Sequence, residues 1–180
     1  VLLLLCFISA LNFAVTAQTV GVKSGDYVNY NVSVTVTGTS ISGTMRVTVS
    51  SVSGTTVSGT MEINIAGQQQ TMQFSIDVAT GTGTTTAVPV TLIIPANLMQ
   101  GQSIPGMSGV TITEVADRSY AGASRKCVGT TANIPVTGYQ MTGHFYWDQS
   151  TGILLEVSME GANQGQTVSL AFTASGTNMW

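Results

Sequence analysis

Alternation of apolar and polar residues is the dominant pattern along the chain. Between Val28 and Val36 an apolar side chain occupies every second position, and polar side chains occupy the positions between them. Because successive side chains of a β-strand point to opposite faces, this period of two predicts a strand with one apolar and one polar face. The same pattern returns at residues 44–50, 60–65, 71–78, 140–148 and 167–174.

Clusters of Gly, Ser and Thr separate these stretches and are typical of turns. One short helical turn is predicted at residues 95–101 (PANLMQG), where Pro comes first and Gly last. The pattern therefore predicts a single all-β domain over residues 18–180, with about 9–11 antiparallel strands. Since the apolar faces need cover, the sheet is expected to be strongly curved and half-barrel-like, or to pack as a β-sandwich.

The first 17 residues, VLLLLCFISALNFAVTA, form an apolar run that ends in small residues. A bilayer-spanning helix needs about 20 residues, so this run fits a secretory signal peptide with Val15-Thr16-Ala17 as the cleavage site. An uncleaved N-terminal membrane segment is the alternative. The chain starts at Val1 without Met, which indicates an incomplete gene product.

The low content of charged residues limits the kinds of partner that this chain is expected to bind. Charged residues make up 7% of the chain, against roughly 25% in a usual soluble domain. With five Lys and Arg and a net charge of −3, we expect no nucleic-acid partner. Membrane contact is expected only through the N-terminal segment or through a C-terminal anchor that this sequence lacks. Extracellular or cell-surface localisation follows from the predicted signal.

Beyond the signal the chain has one cysteine, Cys127, so we expect no internal disulfide and no cysteine-based metal site. Cys127 lies in the charged stretch 114–129 and is predicted to be buried. This stretch is interpreted as a charged hairpin that deters pairing between sheet edges, with a binding edge as the alternative. Asn31-Val32-Ser33 is a candidate N-glycosylation site.

Methionines on the apolar faces suggest one candidate binding surface. Methionine is adaptable and is over-used at apolar binding surfaces, so a curved sheet could hold a lipid-like ligand against such side chains. The alternative is that these methionines fill gaps in an ordinary core. The candidate ligand-lining residues are Met45, Met61, Met72, Phe74, Met141, Phe145, Met159 and Phe172.

The stretch 144–160 holds the one histidine of the chain and raises the question of catalysis. The alternation places His144 and Asp148 on the polar face, and Phe145 and Trp147 toward the core. We interpret the stretch as a hairpin in which Asp148 caps the turn and Gly152 adopts a positive φ. Glu156 is predicted to lie in solvent. We predict no catalytic residues, no metal site and no cofactor, and therefore no enzyme.

Three longer motifs and a short closing one suggest a family. They are 21-GVKSGDYVNY-30, 94-IPANLMQGQSI-104, 146-YWDQSTGILLE-156 and 177-TNMW-180. Together they resemble a family of exported, mostly archaeal, all-β proteins of unassigned function. The Trp-Asp-x-x-Thr-Gly hairpin has a looser likeness to half-barrel carriers of the lipoprotein-carrier type. Those carriers place helices in the concave side of the sheet, and this chain lacks them.

These observations favour an exported, non-enzymatic binding domain, with an apolar or lipid-like small molecule or another surface protein as its partner. The alternative is a structural subunit of a surface layer, filament or stalk that associates through strand edges. An apolar cavity of roughly 300–1,000 Å³ would favour the first hypothesis. A filled core with unpaired edge strands would favour the second.

Overall fold

The computed structural model describes residues 18–84, 91–136 and 139–180. The predicted signal or membrane segment, residues 1–17, lies outside them. In the described residues the chain is all-β. Its strands are β1 Tyr27–Val36, β2 Thr39–Ser53, β3 Thr56–Ile65, β4 Gln68–Asp77, β5 Thr82–Thr84, β6 Glu114–Tyr120, β7 Ala123–Val136, β8 Tyr139–Asp148, β9 Leu154–Asn163 and β10 Gln166–Thr177.

The ten strands form one antiparallel sheet in the order β5-β4-β3-β2-β1-β10-β9-β8-β7-β6, and this sheet is not closed. Two meanders, β1–β5 and β6–β10, lie side by side because β1 pairs with β10. The prediction of an all-β antiparallel domain with about ten strands is confirmed. A sandwich would have divided the strands between two sheets, whereas here they belong to one.

The apolar face of the strands forms the core, as the alternation predicts. The largest buried side chains are aromatic: Tyr30, Phe145 and Trp147 have no measurable exposure. The polar side-chain atoms of Tyr30 and Trp147 are hydrogen-bonded. Tyr30 Oη donates to the carbonyl of Leu154 at 2.7 Å, and Trp147 Nε1 donates to the carbonyl of Thr91 at 3.0 Å. The first bond ties β1 to the start of β9 across the core.

The connection from β5 to β6, described from residue 91 onward, completes this core. Leu92, Ile93 and Ile94 are fully buried in the same apolar cluster as the inward strand residues. The backbone of this segment is also paired, with Ile94 N–H donating to the carbonyl of Gly152 at 2.9 Å. We call residues 91–113 the core segment, because it supplies apolar side chains to the core without forming a regular element.

The short helical turn predicted at residues 95–101 is wrong. Asn97, inside the predicted turn, has a positive φ of 62°, which is incompatible with a right-handed helix. The backbone N–H groups bond elsewhere: Ala96 N–H donates to the carbonyl of Thr19 and Asn97 N–H to that of Gln149. These distant partners override the local preference of Pro and Gly for helix ends.

Candidate functional site

The hairpin that joins β8 to β9 does not bring His144 and Asp148 together. His144 is exposed, and its Nδ1 lies 3.0 Å from Oγ1 of Thr131. Asp148 is only 1% exposed and is the last residue of β8, whereas His144 lies in the middle of that strand. Phe145 and Trp147 face the core, which confirms the predicted register of this strand.

Asp148 caps the turn, as predicted. Its Oδ1 accepts hydrogen bonds from the N–H of Thr151 at 2.8 Å and from the hydroxyl of Ser150 at 2.6 Å. Its Oδ2 accepts from Nε of Arg125 at 2.7 Å, an ion pair that the sequence analysis missed. Burial alone would raise the pKa of Asp148, but the bonds from Arg125, Ser150 and Thr151 outweigh it and hold the pKa below its ordinary value.

Gly152 has the predicted positive φ, at 72°. The structure adds a second constraint on this residue, because a Cβ at Gly152 would lie 2.0 Å from the carbonyl oxygen of Ile94. The turn after β8 is therefore packed backbone to backbone against the core segment. The positive φ favours glycine, and the close approach of the Ile94 carbonyl leaves no room for any Cβ at this position.

Five side chains from β6, β8 and β9 form a polar cluster on the other face of the sheet, which we call the Tyr–Glu cluster: Glu114, Arg118, Tyr120, Tyr146 and Glu156. Tyr120 Oη donates to Glu156 at 2.5 Å, and Tyr146 Oη donates to Glu114 at 3.2 Å. Arg118 pairs with Glu114 at 3.2 Å and stacks on the ring of Tyr146, 3.6 Å from its centroid. Glu156 is thus half-buried and hydrogen-bonded, and the prediction that it lies in solvent is wrong.

The carboxylates and hydroxyls of the Tyr–Glu cluster are hydrogen-bonded to one another or to Arg118, whereas Nε of Arg118 is buried without a hydrogen-bond partner among the described residues. Burial, followed by the bond to Glu156, raises the pKa of Tyr120, and burial also raises that of Tyr146. Burial raises the pKa of the nearby Cys127 thiol to about 12, so the thiol stays protonated at neutral pH. In this cluster the charged groups have partners and the hydroxyls act as donors, so its evident role is to hold β6 against β8 and β9.

The candidate ligand-lining residues lie in the core. Seven of them are 7% exposed or less, and Met72 is partly buried against the same cluster. They lie side by side on the apolar face of the sheet: Met61 pairs with Met72 across β3 and β4, and Phe145 pairs with Val157 across β8 and β9. The fully buried Leu92, Ile93 and Ile94 belong to that same cluster, at the side where an apolar ligand was expected.

Two hollows in the described part of the surface differ from the predicted apolar site. One, of about 350 Å³, is lined mainly by polar residues of β1–β4, including Asn29, Arg46 and Glu62. The other, of about 590 Å³, is lined by residues of β1 and β8–β10, including Thr142 and Glu160. Met45 is the one candidate ligand-lining residue that borders either of these hollows.

The two edge strands of the sheet differ in charge and in how much of their outer side is paired with another strand. The β6 edge carries Glu114, Asp117 and Arg118. At the opposite edge β5 pairs with only Ser75–Asp77 of β4. In the described part of the chain, residues 68–74 of β4 (QQQTMQF) have no strand on that side, and they carry no charge. We call these seven residues the β4 edge.

Other predicted features are placed as follows. Asn31 of the glycosylation motif is exposed in β1. Among the described residues, no group of three or more His, Cys, Asp and Glu side chains could hold a metal ion. Within the same ranges, no helix is long and apolar enough to cross a membrane.

Comparison of the chain with the models of known protein families and with curated proteins found no match. The resemblance to exported archaeal proteins therefore stays a prediction that depends on the four sequence motifs.

Proposed function

We propose that this chain is a non-enzymatic structural domain of an exported, cell-surface protein, which associates with other subunits through an edge of its sheet. In this proposal the sheet is strongly curved and half-barrel-like, and residues 1–17 direct export. The observation that carries the proposal is the contrast between a filled core and the uncharged β4 edge, which has no partner strand among the described residues.

The filled core supports this function over that of a carrier. In a carrier, the candidate ligand-lining residues would face a cavity, and carrier-type cavities measure roughly 300–1,000 Å³. Here Leu92, Ile93 and Ile94 pack against that side of the sheet with no measurable exposure. A lipid-like ligand would have to displace the core segment and break its backbone bond from Ile94 to Gly152.

The bonding of the polar groups supports a role without catalysis. The acidic side chains of the Tyr–Glu cluster accept hydrogen bonds from Tyr120, Tyr146 and Arg118, and Asp148 accepts bonds from its own turn and from Arg125. Hydrogen-bonded polar networks of this kind rigidify the elements that they join.

Native mass spectrometry of the full chain at several concentrations, with organic extraction of bound material, tests the proposal. We expect masses above that of the monomer that become more abundant with concentration, and no extracted ligand. A bare monomer at every concentration would contradict the structural function. A monomer that releases a stoichiometric lipid would instead support the carrier.

A further inference from the structure

Strand β1 presents an acceptor asparagine on the polar face of the sheet. Asn31-Val32-Ser33 is the one Asn-x-Ser/Thr motif of the sequence, and its middle residue is not Pro. Val32 is 3% exposed in the core, whereas Asn31 is the one exposed residue on the polar side of β1. A group attached to Asn31 would therefore extend over the polar face and leave the core undisturbed.

The hollow of about 350 Å³ lies directly beside Asn31. Thr44, which lines this hollow, is the residue paired with Asn31 across β1 and β2. Asn29, which also lines it, lies two positions along β1 on the same face, so the Cα atoms of Asn29 and Asn31 are roughly 7 Å apart. That distance is about the width of one sugar ring. A sugar linked to Nδ2 of Asn31 therefore reaches the hollow without a change in the backbone.

The two charged groups of the hollow are not paired with each other. Arg46 and Glu62 lie opposite each other across β2 and β3, yet they form no ion pair. The guanidinium of Arg46 instead donates to Oδ1 of Asn29 at 3.3 Å and stacks 3.9 Å from the ring centroid of Tyr27. Among the described residues, the carboxylate of Glu62 has no hydrogen-bond or ion-pair partner. Its acceptor oxygens and the remaining N–H groups of Arg46 are open to a ligand.

This set of groups matches the chemistry of a sugar. Each sugar hydroxyl both donates and accepts, so neighbouring hydroxyls can donate to Glu62 and accept from Arg46. The amide of Asn64 and the hydroxyl of Thr44 supply further donors and acceptors in the same hollow. Since the hollow has one cation and one anion, it favours a neutral polyhydroxy ligand over an ion of either sign.

We propose that Asn31 is N-glycosylated and that the first sugar of the glycan lies in this hollow. The inference rests on the export in the proposed function, which brings the chain to the transferase, and it adds a modification. In the transfer, Nδ2 of Asn31 forms a bond to C1 of a lipid-linked oligosaccharide. The bond from C1 to the lipid phosphate oxygen breaks, the phosphate leaves with the electron pair, and the amide nitrogen loses one proton. The hydroxyl of Ser33 completes the motif that the transferase recognises.

Production of the full chain in a cell that exports and N-glycosylates proteins tests the modification. Such a cell is needed because β1 is paired on both sides, so the transfer has to precede formation of the sheet. Intact-mass spectrometry of the exported protein measures the occupancy of Asn31. We expect the added mass of a glycan on the parent chain and on Ser33→Thr, and its complete loss in Ser33→Ala and in Asn31→Gln.

A melting comparison tests the hollow. We expect the glycosylated parent to melt about 2–4 °C above Ser33→Ala, because hydrogen bonds from the sugar stabilise the folded chain. In a Glu62→Ala background most of this difference should disappear. Asp117→Ala, which removes an exposed carboxylate from β6, is the matched control and should retain the difference. Any effect of Ser33→Ala itself is common to all three backgrounds and cancels.

The outcomes separate this inference from the proposed function. A chain that is not exported contradicts the proposed function, and the inference fails with it. A chain that is exported at its unmodified mass overturns the inference and leaves the proposed function standing. A glycosylated chain in which Glu62→Ala and Asp117→Ala retain the same melting difference shows that the sugar does not lie in the hollow.

Discussion

At the scale of single residues, the turn after β8 offers the clearest test of the fold. Gly152→Val forces a β-branched residue into a positive φ and toward the carbonyl of Ile94. We expect the free energy of unfolding to fall by at least about 2–3 kcal/mol. His144→Ala is the control, because His144 is exposed and should change stability by no more than about 0.5 kcal/mol. Urea unfolding measures both, and a larger loss for His144→Ala would contradict this account.

Asp148 predicts a pH dependence of stability. Its pKa in the folded chain lies below the ordinary value of 3.8, so the unfolded chain binds the proton more readily. The stabilisation is therefore fully present above the ordinary value and is lost as pH falls from there through the folded pKa. Thermal melts of Asp148→Asn should show lower stability at neutral pH and a smaller further loss in acid. An unchanged acid profile would assign the pH dependence to other carboxylates.

The residues that sequence reasoning placed correctly act locally. Asp148 and Gly152 were predicted because a cap and a positive φ depend on neighbours within a few positions. Arg125 and Glu156 were missed because their partners, Asp148 and Tyr120, are 23 and 36 residues away. Those contacts depend on the order and register of strands, which alternation alone does not determine.

At the scale of elements, Gly129 of β7 lets the ring of Tyr146 lie across the strand. A Cβ at Gly129 would lie 2.4 Å from Cε1 of that ring, which Arg118 and Glu114 hold in place. We expect Gly129→Ala to cost about 1–3 kcal/mol of unfolding free energy and to loosen β6. Gly176→Ala in β10 is the matched control, since its Cβ would make an ordinary contact at 3.4 Å. Equal effects of the two substitutions in chemical denaturation would show that the Tyr146 ring is not pinned.

Element prediction succeeded where the pattern was periodic. The strands around Val28–Val36 and His144 were predicted with their correct faces, because burial of one face selects a single register. The core segment was missed as a source of core residues, although its run Leu92–Ile94 is continuously apolar. Such a run has no period of its own, and its pairing with Gly152, Ile153 and Leu154 depends on residues about 60 positions away.

At the scale of the whole molecule, the core segment covers the apolar face of the sheet with buried side chains of its own. Ile94→Ala should lower the free energy of unfolding by about 2–5 kcal/mol, because the cavity forms among fully buried neighbours. Met99→Ala in the same segment is the control, as Met99 is 62% exposed and should be nearly neutral. If calorimetry gave both variants the melting temperature of the parent chain, the core segment would not be packed as described.

Association through the β4 edge is the central claim, and amide hydrogen exchange tests it most directly. Ala66 and Gly67 form a two-residue turn that makes Ile65 and Gln68 a hydrogen-bonded pair, so the N–H groups of residues 69, 71 and 73 point away from β3. No strand of the described residues pairs with them, so we expect them to exchange quickly in a monomer. We predict that their exchange slows as the protein concentration rises, and that the amides of β6 do not change. Exchange at these three positions that is independent of concentration, in samples that contain dimer, would contradict the claim.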